Sequence, residues 1–145
     1  MDGMNDLVKR AESHLARGDY EEAIQIFQRI LTSDPINPIA WYALGYAYFE
    51  AKRYNEAINA YEHAISFDPH NFMYWYALGL TYKRLKLLEK AISCFKQAIS
   101  LDPPSPERWR VYGSLFRTYL RLWRWREALS VLKQMWIKLL EVTNQ

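Results

Sequence analysis

A repeat of 34 residues constrains the fold of this chain more than any other feature. The segments AWYALGYAY at 40–48 and YWYALGLTY at 74–82 begin 34 residues apart. The same spacing links further pairs and one series of prolines: Ala57 and Ala91, Ala64 and Ala98, and Pro35, Pro69 and Pro103. A fixed period of this length is typical of stacked helical pairs, in which neighbouring units together bury one continuous core.

Each unit is predicted to contain two amphipathic helices. In the second unit, one face of the first helix carries the residues at i, i+3, i+4 and i+7, namely Trp41, Leu44, Gly45 and Tyr48. Glycine inside a helix costs about 1 kcal/mol relative to alanine. Gly45 therefore predicts that the following helix approaches too closely for a Cβ, with Tyr61 filling the space. Asn37 and Asn71 are placed as N-caps, and Pro38 stands at a first helical position.

This pattern resembles the consensus of the tetratricopeptide repeat (TPR) family: Trp, Leu, Gly and Tyr on the first helix, then Ala, an aromatic residue and Ala on the second, then Pro. The unit at 38–71 matches at Trp41, Leu44, Gly45, Tyr48, Ala57, Tyr61, Ala64 and Pro69. The unit at 72–105 matches at Trp75, Leu78, Gly79, Tyr82, Ala91, Phe95, Ala98 and Pro103. The resemblance covers nearly the whole chain. It implies an all-α, right-handed α-solenoid of four helix-turn-helix repeats.

The chain is thus expected to be a single domain, 1–145, with repeats at about 4–37, 38–71, 72–105 and 109–142. The first unit lacks the consensus on its first helix, as is usual for a terminal repeat. The fourth is out of register by three residues, and the surplus lies near 103–108. The segment Pro103-Pro104-Ser105-Pro106 there predicts a rigid connector that reorients the last pair; a proline-rich recognition motif is the alternative.

The charge of the chain is unevenly distributed. Residues 1–105 carry 11 Lys and Arg against 13 Asp and Glu, whereas residues 106–145 carry 8 against 3. A basic region of this kind attracts acidic partners. Nucleic acid is a less favoured partner, because the basic residues are confined to one end and do not recur with each unit.

Motifs of catalysis and metal binding are missing from the sequence. It contains no Gly-rich phosphate loop, no His-Glu-x-x-His and no Cys-x-x-Cys. The single Cys94 forms no internal disulfide, and the acidic start of the chain does not resemble a signal peptide. We therefore expect a non-catalytic, cytoplasmic protein without cofactor or metal, and one that does not cross a membrane.

A second face of the first helices is predicted to line a ligand groove. In the second unit, the residues about 130° from the packing stripe are also apolar or aromatic: Ile39, Tyr42, Tyr46 and Phe49. The resemblance implies that this face lines a concave groove. The equivalent positions are Asn5, Val8, Glu12, Leu15 and Ala16 in the first unit; Met73, Tyr76, Leu80, Lys83 and Arg84 in the third; and Arg110, Gly113, Arg117, Leu120 and Arg121 in the fourth. The groove is thus expected to run from a mildly polar end, over an aromatic floor, to a basic end.

These positions suggest a non-catalytic adaptor that binds a peptide or helix with apolar and acidic residues. The expected apolar contacts are Tyr42, Tyr46, Phe49 and Tyr76, and the expected contacts for acids are Lys83, Arg84, Arg110, Arg117 and Arg121. A secretion-type chaperone that holds a partner's segment is one form of this hypothesis. The alternative is that the tyrosines contact adjacent helices and Glu50 pairs with Arg84.

One ligand mode of the resembling family is not expected here. Its clamp for the C-terminal carboxylate of chaperone tails uses Lys, Asn and Arg side chains. The matching positions of this chain hold other residues: Val8, Glu12, Ala43, Met73 and Ala77.

The last helix predicts self-association. Apolar residues between Ala128 and Val142 cover about half of its helical wheel, more than one preceding helix buries. We expect a two-fold homodimer through this helix, at Leu132, Met135, Trp136, Leu139 and Leu140. The alternative is that Trp136 and its neighbours fold back onto the fourth unit. A self-assembling scaffold is accordingly the second functional hypothesis.

Overall fold

The computed structural model describes residues 2–143, and every regular element among them is an α-helix. The helices form four successive pairs: α1 Asp2–Arg17 with α2 Tyr20–Ser33, α3 Pro38–Glu50 with α4 Tyr54–Phe67, α5 Phe72–Arg84 with α6 Leu88–Ser100, and α7 Glu107–Arg121 with α8 Trp125–Thr143. Each helix packs mainly on those directly before and after it in the chain. The predicted all-α TPR solenoid is confirmed.

The turn between the two helices of each pair shows how the units are spaced along the sequence. Each turn has one residue at positive φ: Gly18, Lys52, Lys86 and Trp123. The first three are 34 residues apart, whereas Trp123 follows Lys86 by 37. The three additional residues therefore lie between these two turns, and structurally equivalent positions of the third and fourth pairs differ by 37.

The connector between α6 and α7 is held by an arginine. Pro103 is buried, and the Nε of Arg108 donates a hydrogen bond of 3.0 Å to its carbonyl oxygen. The same guanidinium forms a 3.0 Å ion pair with Asp102. In the preceding connectors an indole makes the equivalent bond: Trp41 donates to Pro35 at 2.7 Å, and Trp75 donates to Pro69 at 2.9 Å.

Both predicted N-caps are confirmed. The side-chain oxygen of Asn37 accepts a bond from the amide of Ala40, and that of Asn71 accepts one from the amide of Met73, each at 3.0 Å. These bonds satisfy amides that have no partner within the helix. They fix where α3 and α5 begin. The start of each helix in turn sets which side chains lie on each of its faces.

The close approach predicted at the helical glycines is also confirmed. A Cβ on Gly45 would lie 2.7 Å from carbons of the Tyr61 ring, and a Cβ on Gly79 would lie 2.7 Å from the Phe95 ring. Both aromatic residues are buried, with 2% and 0% of their surface exposed. The two helices of a pair therefore pack with an aromatic ring directly against a glycine.

Candidate binding groove

The first helices of the four pairs together form one surface, which we call the groove. A pocket joins α1 to α3, and another is lined by residues of α3, α5 and α7. Tyr76 of α5 is also linked to Ser114 of α7, with 3.3 Å between the two hydroxyl oxygens. The groove therefore brings together side chains from units that are far apart in sequence.

The N-terminal end of the groove holds an apolar pocket of about 480 Å³, which we call the N-terminal pocket. Its apolar walls come from α1 and α3, above a floor from α2: Met4, Val8, Leu15, Ile39, Tyr42 and Tyr46, with Phe27 and Ile30 beneath. The side chain of Ile39 is 70% exposed. An apolar side chain of a ligand would therefore find both a wall and a floor here.

This pocket refines one expectation from the sequence. The first unit was expected to contribute a mildly polar end, and three of its predicted positions, Val8, Glu12 and Leu15, line the pocket. Met4 lines the pocket as well and was not predicted. The spacing of Met4, Val8 and Leu15, at i, i+4 and i+11, places them on one side of a helix, and this was the available signal for Met4.

The tyrosines of α3 differ in how open they are. The ring of Tyr42 lies between those of Tyr61 and Tyr74, with centroids 5.7 and 5.2 Å away. Burial and the neighbouring Tyr46 raise the pKa of the Tyr42 hydroxyl, and the positive charge of Arg110 on α7 acts against that rise. Tyr46 is 43% exposed and is the more accessible contact.

Tyr76 is held between helices and is not an open platform. Besides its contact with Ser114, its ring centroid lies 5.8 Å from that of the buried Phe95. The alternative expectation, that these tyrosines contact adjacent helices, therefore describes Tyr76 and in part Tyr42. Met73, in contrast, is 40% exposed on the same helix.

A second pocket, of about 390 Å³, lies at the C-terminal ends of α3, α5 and α7, and we call it the basic pocket. It is lined by residues of three first helices: Phe49 of α3, Leu80, Lys83 and Arg84 of α5, and Arg121 of α7. The guanidinium of Arg84 lies 5.7 Å from the centroid of the Phe49 ring, within the range of a cation–π contact.

The cations of the basic pocket act on one another. The pKa of Lys83 is lowered first by burial and then by the charges of Arg117, Arg121 and Arg84. Arg117 lies one helical turn before Arg121 on α7, so it borders the pocket from the same helix. Lys83 thus lies within electrostatic reach of three arginines.

These cations lack the acidic partners that other basic residues of the protein have. Arg53 pairs with Glu21 and Glu56, and Arg124 pairs with Glu89 and Glu127, at 2.7–3.1 Å. Among residues 3–143, whose side chains the structure describes, no carboxylate lies within 4.0 Å of the charged nitrogens of the groove cations Lys83, Arg84, Arg110, Arg117 and Arg121. The pair considered between Glu50 and Arg84 is thus not formed.

The predicted oligomer interface lies on α8, whose outer side is open. Leu129 and Leu132 are 63% and 42% exposed, whereas the equivalent residues of α6, Ile92 and Phe95, are 4% and 0% exposed. The difference arises because α7 covers α6, and no further described helix covers α8. The exposed residues form one stripe, which we call the α8 stripe: Trp125, Leu129, Leu132, Trp136 and Leu139.

The individual residues of that interface do not all share this position. Leu132, Trp136, Leu139 and Leu140 are 42–63% exposed. Met135 is half-buried and packs against the core, because it faces the rest of the fourth pair. The alternative that the whole helix folds back onto the fourth unit holds for Met135 and not for the other four.

Other chemistry is sparse in the described residues. Over 2–143 no group of three or more His, Cys, Asp or Glu residues is arranged to hold a metal ion. None of the helices described combines the length and the hydropathy that crossing a bilayer requires. Burial raises the pKa of the Cys94 thiol to about 11, which favours its unreactive protonated form.

Comparisons with known proteins show one matching family model and several similar solved structures. The family model described as the cilia and flagella-associated protein 70 C-terminal domain matches residues 3–139. A search of curated protein sequences gives no significant match. Among solved structures, a crystal structure of MamA is 25% identical, with a TM-score of 0.85 over 98% of this chain and 81% of that one.

Two further solved structures contain bound peptides. The first TPR of Spaghetti (RPAP3), bound to the HSP90 peptide SRMEEVD, is 22% identical, with a TM-score of 0.75 over 82% of this chain and 92% of that chain. The Yersinia enterocolitica type III secretion chaperone SycD, in complex with a peptide of the translocator YopD, is also 22% identical. Its TM-score is 0.78 over 83% of this chain and 95% of that chain.

Proposed function

Because this chain belongs to the family of the cilia and flagella-associated protein 70 C-terminal domain, we propose that it is a non-catalytic interaction module that holds a peptide or helical segment of another protein in its groove. The observation that carries this proposal is that one surface holds both an open apolar pocket and a basic pocket. The cations of the basic pocket have no acidic partner among the described residues. The peptides bound by the Spaghetti TPR and by SycD support it by analogy of fold.

The two pockets specify what the bound segment should contain. An apolar side chain enters the N-terminal pocket, where it contacts Ile39 and Tyr46. Acidic groups lie further along the groove, near Arg84 and Arg121 of the basic pocket. Pockets that exist before binding reduce the conformational cost of association, and a few contacts of this kind usually dominate the affinity.

The proposal can be tested before the natural partner is identified. Random 16-residue peptides displayed on phage would be selected against the wild-type protein, and the selected sequences would be synthesised. We expect them to share an apolar residue and, at a fixed spacing, acidic residues. Binding of each synthetic peptide would then be measured by fluorescence anisotropy at ~0.15 M salt.

Two groove variants and one control then test which residues bind the selected peptides. Ile39→Asp places a charge in the N-terminal pocket and Arg121→Glu reverses one in the basic pocket, so each should weaken binding at least tenfold. Gln97→Ala, at an exposed position of the second-helix side, serves as the control and should bind as the wild type does. Peptides that tolerate both groove substitutions but lose affinity with the control would overturn the assignment of the groove.

A second candidate function, self-assembly, is favoured by the α8 stripe. Its residues are spaced 4, 3, 4 and 3 apart, the seam spacing by which two helices pack along their length. A stripe of this kind is complementary to itself about a two-fold axis. We therefore propose a second copy of this chain as the occupant of the stripe.

The expected strength of this association is modest. Burial of a half-exposed Leu or Trp side chain contributes about 1 kcal/mol, so the ten side chains of two stripes contribute about 10 kcal/mol. Association itself costs about 4–15 kcal/mol. At the low end of that cost a net gain of about 6 kcal/mol remains, which corresponds to a dissociation constant of about 40 μM, and a higher cost shifts the dimer into the millimolar range.

Light scattering and sedimentation from ~10 μM to ~1 mM would measure the dimer. Trp136→Glu should shift the protein to monomer, because it buries a charge in the seam. Gln134→Glu adds the same charge on the opposite side of α8 and should leave the mass unchanged. A wild type that remains monomeric at ~1 mM would contradict self-assembly through this stripe.

A further inference from the structure

The basic pocket holds more positive charge than a single carboxylate can offset. Lys83, Arg84 and Arg121 line it, Arg117 borders it, and none has an acidic partner among the described residues. We propose that the basic pocket binds the phosphate group of a phosphorylated serine or threonine in the bound segment. This inference rests on the proposed function, because it names the group that enters one pocket of that groove.

The charge of the ligand group is the first argument. Like charges gathered without partners are unfavourable in the free protein, and a ligand relieves the repulsion in proportion to its own charge. A carboxylate carries one negative charge. A phosphate monoester carries about −1.5 to −2 at neutral pH and has three strong acceptor oxygens. It can therefore contact several of these cations at once, and guanidinium groups bind such oxygens in pairs.

The shape of the site is the second argument. Three of the cations, which come from two helices, line one pocket of about 390 Å³: Lys83 and Arg84 of α5, and Arg121 of α7. Successive acidic side chains of an extended peptide point to opposite sides. Two carboxylates would therefore not readily enter one compact pocket, whereas a single tetrahedral group would.

The apolar walls are the third argument. Phe49 and Leu80 line the pocket beside the charged groups, and both side chains are half-buried, as is Lys83. A charge-assisted hydrogen bond is stronger in such surroundings than in water. The Phe49 ring also contacts the Arg84 guanidinium at 5.7 Å, which restricts its orientation before the ligand arrives.

A direct experiment compares three short peptides that differ at one residue. The probes are acetylated and amidated heptapeptides of alanine with phosphoserine, glutamate or serine at the centre. Binding would be followed by NMR through the Nε–H signals of Arg84, Arg117 and Arg121 and the Nζ signal of Lys83. We expect the phosphoserine peptide to bind at least tenfold more tightly than the glutamate peptide, and the serine peptide to show no binding.

Two variants test where the peptide binds. Arg121→Ala should weaken binding of the phosphoserine peptide at least fivefold. It should also reduce the protein's preference for the phosphoserine peptide over the glutamate peptide. Arg29→Ala removes an exposed arginine of α2, outside the groove, and should change neither value. Both variants should retain the wild-type far-UV circular dichroism spectrum, because both side chains are exposed.

The other outcomes overturn the proposal in distinguishable ways. Equal affinity for the phosphoserine and glutamate peptides would show a site for acidic residues, while the displayed peptides could still bind the groove as proposed. Inorganic phosphate that binds as tightly as the peptide would assign the pocket to a free anion. A ten-nucleotide single strand that shifts the same signals with higher affinity would assign it to nucleic acid.

Discussion

The packing of glycine against an aromatic ring allows a prediction whose size follows from the structure. Gly79→Ala and Gly113→Ala place the same methyl group at a helical glycine, in α5 and α7. At Gly79 the new Cβ would lie 2.7 and 2.8 Å from two carbons of the Phe95 ring and 3.1 Å from the Cβ of Cys94. At Gly113 its nearest neighbour is the end of the flexible Arg117 side chain, at 3.8 Å.

The two variants share one energy term and differ in another. Each gains about 1 kcal/mol from the higher helix propensity of alanine. At Gly79, carbon atoms that normally approach to about 3.5–4.0 Å would be forced about 1 Å closer. Phe95 is fully buried and Tyr76 lies on it, so the ring has little room to move. Overpacking of this kind costs about 1–3 kcal/mol.

The difference between the variants therefore isolates the packing term. We expect Gly113→Ala to be about 1 kcal/mol more stable than the wild type, and Gly79→Ala to be about 1–3 kcal/mol less stable than Gly113→Ala. Urea unfolding followed by circular dichroism at ~222 nm measures both, with the slope of the transition as a check on two-state behaviour. For a domain of this length, the two melting temperatures should differ by about 3 °C per kcal/mol.

One result would refute this reasoning. If Gly79→Ala gained as much stability as Gly113→Ala, a methyl group would fit between α5 and α6. The close approach that explains both Gly45 and Gly79 would then be absent. Gly45→Ala, which meets Tyr61 at 2.7 Å, provides a second test of the same contact in another unit.

Three further predictions concern single side chains. Tyr46→Ala should weaken binding of a selected peptide by about 1–2 kcal/mol with little change in melting temperature. Phe95 is fully buried, so Phe95→Ala should lower the free energy of unfolding by about 3–5 kcal/mol. Equal losses of stability in the two variants would place Tyr46 in the core. Cys94 should react with a disulfide reagent at pH ~8 far more slowly in the native protein than in urea, because burial raises the pKa of its thiol to about 11; equal rates would contradict its burial. Because the folded state lowers the pKa of Lys83, its protonated form opposes folding below that pKa, and this cost disappears as the pH rises towards the unfolded value of about 10.4. Lys83→Gln should therefore be more stable than the wild type by less than about 1 kcal/mol at neutral pH, with the difference vanishing near pH ~10.5; a variant that is less stable at neutral pH would show that Lys83 supports the fold.

The fold could be predicted from the sequence because its determinants are local. The glycines at 45 and 79, the N-caps at Asn37 and Asn71, and the spacing of apolar residues all act within one unit or between neighbours. The same residue pattern also occurs in several units, so the pattern can still be recognised when one unit departs from it. Tyr61, the aromatic residue that opposes Gly45, could thus be named from the sequence alone.

The groove was predicted less completely. Its basic residues were identified from their positions on the first helices, and the structure adds that Lys83, Arg84 and Arg121 share one pocket with Phe49. The N-terminal pocket was missed in part, because Met4 belongs to a unit that lacks the consensus. Tyr76 was expected to be open to a ligand, and it is instead occupied by contacts with Phe95 and Ser114.

The sequence by itself therefore determined the repeat, the class of fold and which face of each helix packs within its own unit. Only the tertiary structure decided which side chains from different units meet and which cations have no acidic partner among the described residues. It alone also showed that Leu129 and Leu132 are open while Ile92 and Phe95 are covered. The physical reason is the range of the interactions. Packing inside a unit depends on residues a few positions apart, whereas a groove depends on the small rotation of each unit relative to the next. That rotation accumulates along the array, and a periodic pattern does not specify its size.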